Sequence, residues 1–166
     1  MPMPVSEKRF LERLAECLPG VRGYRDRESR RETDRRLREY LARRLDEGRR
    51  PLDEIRRACV ARGELGPLDA VGRLDRVLQK TTAALRYAEA GYSGFFDSVK
   101  IGEPELERLY AYDEALLGEV HGVADAVRSA VAAGPDGKVL AEIERRAAEL
   151  DERVARRKEI FDAPVA

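Results

Sequence analysis

The pattern that most restricts the fold is a stripe of apolar residues that recurs every third or fourth position near the end of the chain. The stripe comprises Leu140, Ile143, Ala147, Leu150, Val154, Arg157 and Phe161, with Arg157 counted as a member. An α-helix brings residues three and four apart onto one face, whereas a β-strand groups alternate residues. The segment 139–161 is therefore predicted to be a helix that buries one narrow face.

Three earlier segments repeat this spacing. A helix over 68–90 is marked by Val71, Leu74, Leu78, Thr81, Leu85 and Ala88. A helix over 104–133 is marked by Leu106, Leu109, Leu116, Val120, Val123 and Val127, with Asp113 as the gap in the stripe. A longer helix over 24–62 is marked by Leu41, Leu45, Leu52, Ile55 and Cys59, if Gly48 is counted as a core position. Pro51 interrupts this run and predicts a kink or a short break, because proline removes a backbone hydrogen bond and clashes with the preceding turn.

The helical segments are separated by turns rich in glycine and proline, at 62–67 and 133–138. No segment shows the alternation of a strand, and aromatic residues make up only 6% of the chain, against 39% charged residues. Such compositions are typical of long helices and coiled coils. We predict one all-α domain, residues 1–166: an elongated, coiled-coil-like antiparallel four-helix bundle, preceded by a short N-terminal helix and turn at 1–22. The narrow stripes leave room for a partner chain, so we expect self-association.

Charge is segregated along the chain, although the 32 basic and 32 acidic side chains cancel. Residues 21–62 contain fifteen Arg and nine acids, whereas residues 88–125 contain nine acids and two bases. Three interpretations stay open: the two segments neutralise each other, with help from pairs such as Glu32–Arg36; they form a surface for a protein partner; or residues 22–50 grip a nucleic acid. Interleaved acids and the lack of any nucleic-acid-binding signature oppose the third.

Candidate catalytic groups are sparse. The single histidine, His121, would share a helix face with Glu114 and Asp125, and a pair with Asp125 is favoured over a metal site, because the paired Glu-x-x-His motifs of di-metal bundles are missing. Cysteine–histidine chemistry would need Cys17 or Cys59 to meet His121 in space, which no local pattern indicates. We expect no enzymatic activity and no cofactor. The distant cysteines and the lack of a long apolar run predict a cytoplasmic protein without a membrane span.

The stretch GYSGFFDSVKIGEP at 91–104 breaks the helical pattern with three Gly and one Pro. Its aromatic residues Tyr92, Phe95 and Phe96 either cap the end of the bundle or form a patch that docks on a partner. Further aromatic residues occur nearby in the sequence, at Tyr87, Tyr110 and Tyr112. This concentration beside the acidic segment makes the stretch our preferred binding region.

Two stretches, 18–45 and 91–113, together resemble a family of small uncharacterised bacterial helical proteins. The shared motifs are LPGxxGYxxxExRRExD, at Leu18 to Asp34, and GYxGxFDxVK, at Gly91 to Lys100. The resemblance implies an accessory partner of stomatin- or prohibitin-type membrane scaffold proteins and no enzymatic activity. Pro51 departs from the pattern of that family.

These observations predict a non-enzymatic interaction or scaffold protein that self-associates or docks on a protein partner. The alternative function is an Arg-rich nucleic-acid-binding or stress-response protein, and a helical-bundle metalloenzyme is a third class. The predicted partner surface joins two parts of the chain, and its residues are Tyr24, Arg27, Arg31, Tyr92, Phe95, Phe96 and Lys100.

Overall fold

The computed structural model describes residues 5–20, 27–88, 103–134 and 136–160, which form helices joined by short turns and contain no strand, and this confirms the all-α prediction. The helices are α1 (Val5–Cys17), α2 (Arg27–Arg49), α3 (Leu52–Arg62), α4 (Gly66–Tyr87), α5 (Glu103–Ala133) and α6 (Gly137–Arg156). A 3₁₀ turn, Arg157–Ile160, follows α6. None of the described helices is both long enough and apolar enough to cross a membrane.

Local chemistry explains several helix ends. The carboxylate of Asp136 accepts hydrogen bonds from the backbone N–H groups of Lys138 (2.7 Å) and Val139 (3.4 Å), and so caps the start of α6. Gly63 and Gly134 follow the ends of α3 and α5 with φ of 68° and 92°. That left-handed conformation is accessible to glycine without strain, so both residues stop their helices.

Pro51 separates α2 from α3. It has φ −62°, and its carbonyl accepts a hydrogen bond from the backbone N–H of Glu54 at 3.0 Å, which opens a new helix. Because proline has no N–H to donate to the preceding turn, the α2 ladder ends at Arg49. The segment predicted as one helix over 24–62 is thus two helices, and Pro51 marks a break.

Helix α2 packs between α4 and α5, α6 also packs between α4 and α5, and α1 lies on α5. Cross-helix contacts give the directions. Along α2 and α5, Tyr40 meets His121 and Arg44 meets Asp125, so the residue numbers rise together and the helices are parallel.

Helices α4 and α6 are also parallel, because Arg73 pairs with Glu144 and Lys80 pairs with Asp151. By contrast, α2 and α4 are antiparallel: Arg38 bonds to the carbonyl of Leu85, near the end of α4, and Arg49 reaches Asp75, nearer its middle. The sequence predicted antiparallel neighbours, but two of the interfaces, α2 with α5 and α4 with α6, are parallel. The reason is that α5 packs against α2 and α6 instead of folding back along α4.

The predicted stripes form the core of the described structure; fully buried members include Leu41, Leu74, Leu116 and Leu140. Gly48 is a core position as predicted, and it lies at a close contact between α2 and α5. A Cβ added there would lie 2.7 Å from the Cβ and 2.9 Å from the Cα of Ala124. The missing side chain is thus what lets the two parallel helices touch.

Two adjacent buried threonines on α4 differ in their hydrogen bonds. The Thr81 hydroxyl has two acceptors in reach, the Val77 carbonyl at 3.0 Å and the Asp151 carboxylate at 2.9 Å. The Thr82 hydroxyl, on a residue that is 3% exposed, has no partner among the described residues. A buried hydroxyl without a partner loses its hydrogen bonds to water and forms none with the protein, which destabilises the folded state.

We therefore expect Thr82→Val to raise the free energy of unfolding by about 1 kcal/mol and Thr81→Val to lower it by about 1–2 kcal/mol. Both substitutions keep a β-branched residue of similar shape, so helix propensity changes little in either. Urea denaturation of the two variants measures the difference. A shift of both midpoints in the same direction would contradict this assignment of the hydroxyl groups.

Candidate functional site

Most of the predicted partner surface lies outside the described residues, namely Tyr24, Tyr92, Phe95, Phe96 and Lys100. Arg27 begins α2, but its side chain also lies outside the described part. Arg31 is exposed near the start of α2. The structure therefore describes one side chain of the predicted surface, that of Arg31, and the helices that flank the remaining residues of this surface.

The helix ends that flank these residues come together at one end of the structure. Arg38 on α2 donates from Nη1 to the carbonyl of Leu85 at 3.1 Å, so the first half of α2 lies beside the last turn of α4. Asp113 on the first half of α5 and Arg157 after α6 meet at the same place. The exposed ring of Tyr87, with 79% of the residue accessible, ends α4 here.

This end is built on a buried charge network of Asp34, Arg38, Asp113 and Arg157. Arg157 donates from Nε and Nη2 to the two carboxylate oxygens of Asp113, at 2.6 and 2.7 Å, and from Nη1 to Asp34 at 2.5 Å. Asp34 accepts a second bond from Nε of Arg38 at 2.9 Å. All four residues are at most 5% exposed. We call the end of the structure that contains these residues the network end.

Among the described residues, the network pairs two guanidinium groups with two carboxylates. Burying a charge is costly unless it is paired with good geometry, and the two-pronged Arg157–Asp113 pair has that geometry. Because its members come from α2, α5 and the 3₁₀ turn, and Arg38 also holds α4 through Leu85, the network sets the relative position of four elements.

The network was not predicted, although its signal is present in the sequence. Asp113 is the gap in the apolar stripe of α5, and Arg157 is the basic member of the apolar stripe of α6. A lone charge on each of two buried stripes is a reason to expect that the two charges pair. The identity of the third partner, Asp34, has no comparable signal, because it lies 123 residues from Arg157.

The aromatic residues near the predicted binding region separate into different environments. Tyr110 is buried with its ring centroid 5.3 Å from that of Phe10. Tyr112 donates its hydroxyl to the carbonyl of Arg153 at 2.6 Å, and the Arg153 guanidinium lies 5.7 Å from its ring centroid. Of the three that the structure describes, Tyr87 is the one that faces solvent.

His121 pairs with Tyr40 and not with Asp125, so the predicted pair is wrong. Its Nε2 lies 2.8 Å from the Tyr40 hydroxyl, while Asp125 accepts from Arg44 at 3.0 Å and from Arg128 at 2.9 Å. The cause is the parallel packing of α2 on α5, which brings Tyr40 and Arg44 opposite His121 and Asp125. Burial, and then the charge of Arg44, lower the pKa of His121.

The thiol of Cys17, at the end of α1, also acts on the Tyr40 hydroxyl. A cysteine and the histidine thus both influence one hydroxyl group, which no local pattern indicated. Burial, followed by the influence of Cys17, raises the pKa of Tyr40 to about 12. Within the described residues, no group of three or more His, Cys, Asp or Glu side chains is placed to hold a metal ion.

A groove of about 740 Å³ runs between α5 and α6, and its lining includes Tyr112, Glu119, Gly122, Arg146, Arg153 and Ile160. Glu119 and Arg153 form an ion pair at 3.1 Å inside it. Burial raises the pKa of Glu119, against the opposing effect of Arg153. Since Glu119 and Arg153, which face each other across the groove, are already paired, the groove presents a surface of mixed charge and not a patch of one sign.

Three arginines of the basic segment bond to acids of other helices. Arg44 bonds to Asp125 on α5, as expected if the basic and acidic segments neutralise each other. Asp75 on α4, which lies outside the predicted acidic segment, accepts from Arg49 at 3.0 Å and from Arg56 at 2.7 Å. One buried carboxylate therefore holds both sides of the Pro51 break against α4.

Asp75 gives an expected acid dependence of stability. Burial acts to raise its pKa, but the hydrogen bonds from Arg56 and Arg49 outweigh burial, and the pKa lies below the ordinary 3.8. A lowered pKa in the folded state stabilises the fold above the unfolded value, and this stabilisation is lost as pH falls through the folded value.

We therefore expect Asp75→Asn to lower the free energy of unfolding by about 1–3 kcal/mol at pH 7, and the difference from wild type to shrink below about pH 4. Urea titrations at pH 7, 5 and 3 measure this. Asp53→Asn is the matched control, because Asp53 also accepts from Arg56 (2.7 Å) but its side chain is 67% exposed. A difference that persists unchanged at pH 3 would show that the charge of Asp75 is not the cause.

No family model, curated protein or solved structure matches this chain. The described residues define an all-α protein whose helices pack against one another and whose network end is joined by buried Arg–Asp pairs.

Proposed function

We propose that this protein is a non-enzymatic helical interaction module that self-associates or docks on a protein partner through its network end. The proposed surface has the residues predicted from sequence, Tyr24, Arg27, Arg31, Tyr92, Phe95, Phe96 and Lys100, and the exposed Tyr87 joins them. The observation that carries the proposal is the buried charge network, which fixes the helix ends flanking both parts of this surface.

The network supports an interaction role because a binding surface made from distant parts of a chain needs a rigid base. Preorganisation lowers the ordering cost of binding. The pairs of Arg157 and Arg38 join α2, α4, α5 and the 3₁₀ turn at the network end. We also infer that α2, α4, α5 and α6 form an elongated four-helix bundle, with α1 and α3 packed on its sides.

Tyr87 adds a second line of support. Tyrosine is enriched at protein interfaces because its large ring buries apolar area while the hydroxyl keeps a hydrogen bond. Arg31, on the helix whose first half lies beside the end of α4, supplies a charged group of the kind that often accompanies interface tyrosines. The family resemblance adds a stomatin- or prohibitin-type scaffold protein, met in the cytoplasm, as the candidate partner.

The test measures self-association and partner binding with one pair of variants. Arg31→Glu reverses charge at the network end, and Arg62→Glu, the matched control, makes the same change on an exposed residue at the end of α3, which lies at the opposite end. Light scattering over a concentration series reports the mass of each protein. We expect Arg31→Glu, and the combined Tyr92→Ala, Phe95→Ala and Phe96→Ala variant, to weaken association about tenfold or more, since hot-spot side chains contribute about 2 kcal/mol.

A partner other than the chain itself is tested by retention from an extract of the native cell on immobilised protein. The expected result is a partner protein that binds to the immobilised Arg62→Glu variant but not to the immobilised Arg31→Glu variant. If the wild type stays monomeric and the two variants retain the same proteins, the proposal is wrong.

The alternative, nucleic-acid binding by the basic segment, receives less support. Phosphate contacts need guanidinium groups that are available, and Arg38, Arg44, Arg49 and Arg56 each bond to carboxylates of this chain. A shift in the mobility of DNA or RNA that is lost steeply when the salt concentration is raised would support this alternative.

A further inference from the structure

The junction of α1, α2 and α5 holds a histidine among paired charges. His121 on α5 contacts Tyr40 on α2, and the thiol of Cys17 on α1 also acts on the Tyr40 hydroxyl. The cations that face His121 are Arg44 on α2 and Arg13 on α1, and the nearby anion is Asp125 on its own helix. Glu47 on α2 acts on the same Tyr40 hydroxyl.

Both facing cations already have acidic partners. Arg44 bonds to Asp125 at 3.0 Å, and Arg13 lies 3.7 Å from Glu114. Arg44 also lies 3.9 Å from Glu47, and Asp125 also pairs with Arg128 at 2.9 Å. The three cations and three anions of this junction therefore balance while His121 is neutral, and an imidazolium would be an additional cation. Arg13 and Arg44 would both repel it.

Helix α1 is the element that can yield to this repulsion. It packs chiefly against α5, where Phe10 contacts Tyr110 and the Arg13 guanidinium lies over Gly118, such that a Cβ added at Gly118 would be 3.7 Å from Nη1. The residues that follow it are tied to α2 by the bond from Arg36 to the Pro19 carbonyl, at 3.1 Å. By contrast, α2 and α5 remain joined through Gly48–Ala124 and the buried charge network.

We propose that α1 is a pH-sensitive clasp, which closes over Tyr110 while His121 is neutral and loosens when His121 takes a proton in mild acid. Protonation adds a positive charge beside Arg13 and Arg44. Undocking of α1 moves Arg13 away and admits water to the imidazolium. This inference does not depend on the proposed partner surface.

The direction of the pH dependence follows from the histidine. Burial and then Arg44 lower the pKa of His121 in the closed form, whereas an open junction lets the pKa return toward 6.5. The open form thus binds protons more readily, and it gains population as pH falls below 6.5. The ratio of open to closed forms changes tenfold for each unit by which the two pKa values differ.

Hydrogen exchange of the full chain tests the clasp, with rates at pH 7.5, 6.5 and 5.5 corrected for intrinsic exchange. The reporter is the backbone of α1, and the internal reference is α6. We expect the protection of α1 to fall about fivefold or more from pH 7.5 to 5.5, relative to α6. His121→Gln, which stays neutral, is expected to abolish this pH dependence whatever its effect on the absolute protection.

Arg13→Gln provides the second variant, because it removes one of the repelling cations from an exposed position and leaves His121 in place. It is expected to reduce the pH dependence of α1 without removing it. Protection of α1 that follows α6 at all three pH values would overturn the proposal. So would an unchanged pH dependence in His121→Gln or in Arg13→Gln.

Discussion

Replacing Arg157 with methionine is expected to lower the free energy of unfolding by about 3–5 kcal/mol, because it removes the guanidinium group that bonds to two buried carboxylates. Asp113 is 0% exposed, and both of its oxygens bond to Arg157. Asp34 would keep its bond to Arg38. Urea denaturation at pH 7, with linear extrapolation to water, measures the change.

The neighbouring Arg156 supplies the matched control. Its side chain is 66% exposed and pairs with Glu152 across the surface of α6. Exposed pairs contribute little, so Arg156→Met is expected to change stability by less than about 0.5 kcal/mol. If the two methionine variants unfold at the same urea concentration, the network does not contribute as described.

A double variant separates the loss of a pair from the loss of packing. In Arg157→Met with Asp113→Leu, the remaining Asp34 and Arg38 still balance each other. Apolar replacement of a buried pair is often neutral or stabilising, so the double variant is expected to recover most of the stability that the single variant lost. A double variant that is less stable than the single variant would contradict this account of the Arg157–Asp113 pair.

The second large effect is expected from Gly48→Ala, with a loss of about 1–3 kcal/mol from overpacking between α2 and α5. The added methyl group would lie 2.7 Å from the Cβ and 2.9 Å from the Cα of Ala124. These distances are too short, and the nearest atoms belong to a helix that cannot move alone. Alanine otherwise favours helix over glycine by about 1 kcal/mol, so the net sign reports the contact.

Gly72→Ala is the control for helix propensity. The nearest atom to a Cβ there is the mobile tip of Arg76, at 3.7 Å, so this variant is expected to be neutral or stabilised by up to about 1 kcal/mol. Adding Ala124→Gly to Gly48→Ala removes the 2.7 Å contact but leaves the 2.9 Å contact with the backbone. We expect it to restore only part of the loss. Thermal or urea unfolding decides, and equal effects at positions 48 and 72 would refute a close contact between the helices.

Helix positions were predictable because their signals are local. The stripe from Leu140 to Val154 reflects the 3.6-residue period, and it appears in the structure as the buried face of α6. Pro51 ends the hydrogen-bond ladder of α2 because its ring leaves no backbone N–H to donate. In both places the interacting atoms lie within a few positions along the chain, so the sequence contains all the information that is needed.

The candidate site was only partly predictable. Arg31 was selected from the sequence and is exposed near the network end, whereas the network beneath it was not foreseen. His121 was assigned to Asp125, one turn away on its own helix, but the structure pairs it with Tyr40 from α2. Helical spacing predicts partners on the same helix. It does not identify partners on a neighbouring helix until the packing is known.

The sequence by itself determined that this protein is helical, where most helices begin and end, and which face of each is buried. Only the tertiary structure decided that α2 and α5 run parallel, that Asp113 and Asp34 share Arg157, and that His121 contacts Tyr40. The physical reason is that an apolar stripe gains free energy from burial against any complementary stripe. Direction and partner are chosen by a few distant contacts, such as the glycine at 48 and the buried Arg–Asp pairs.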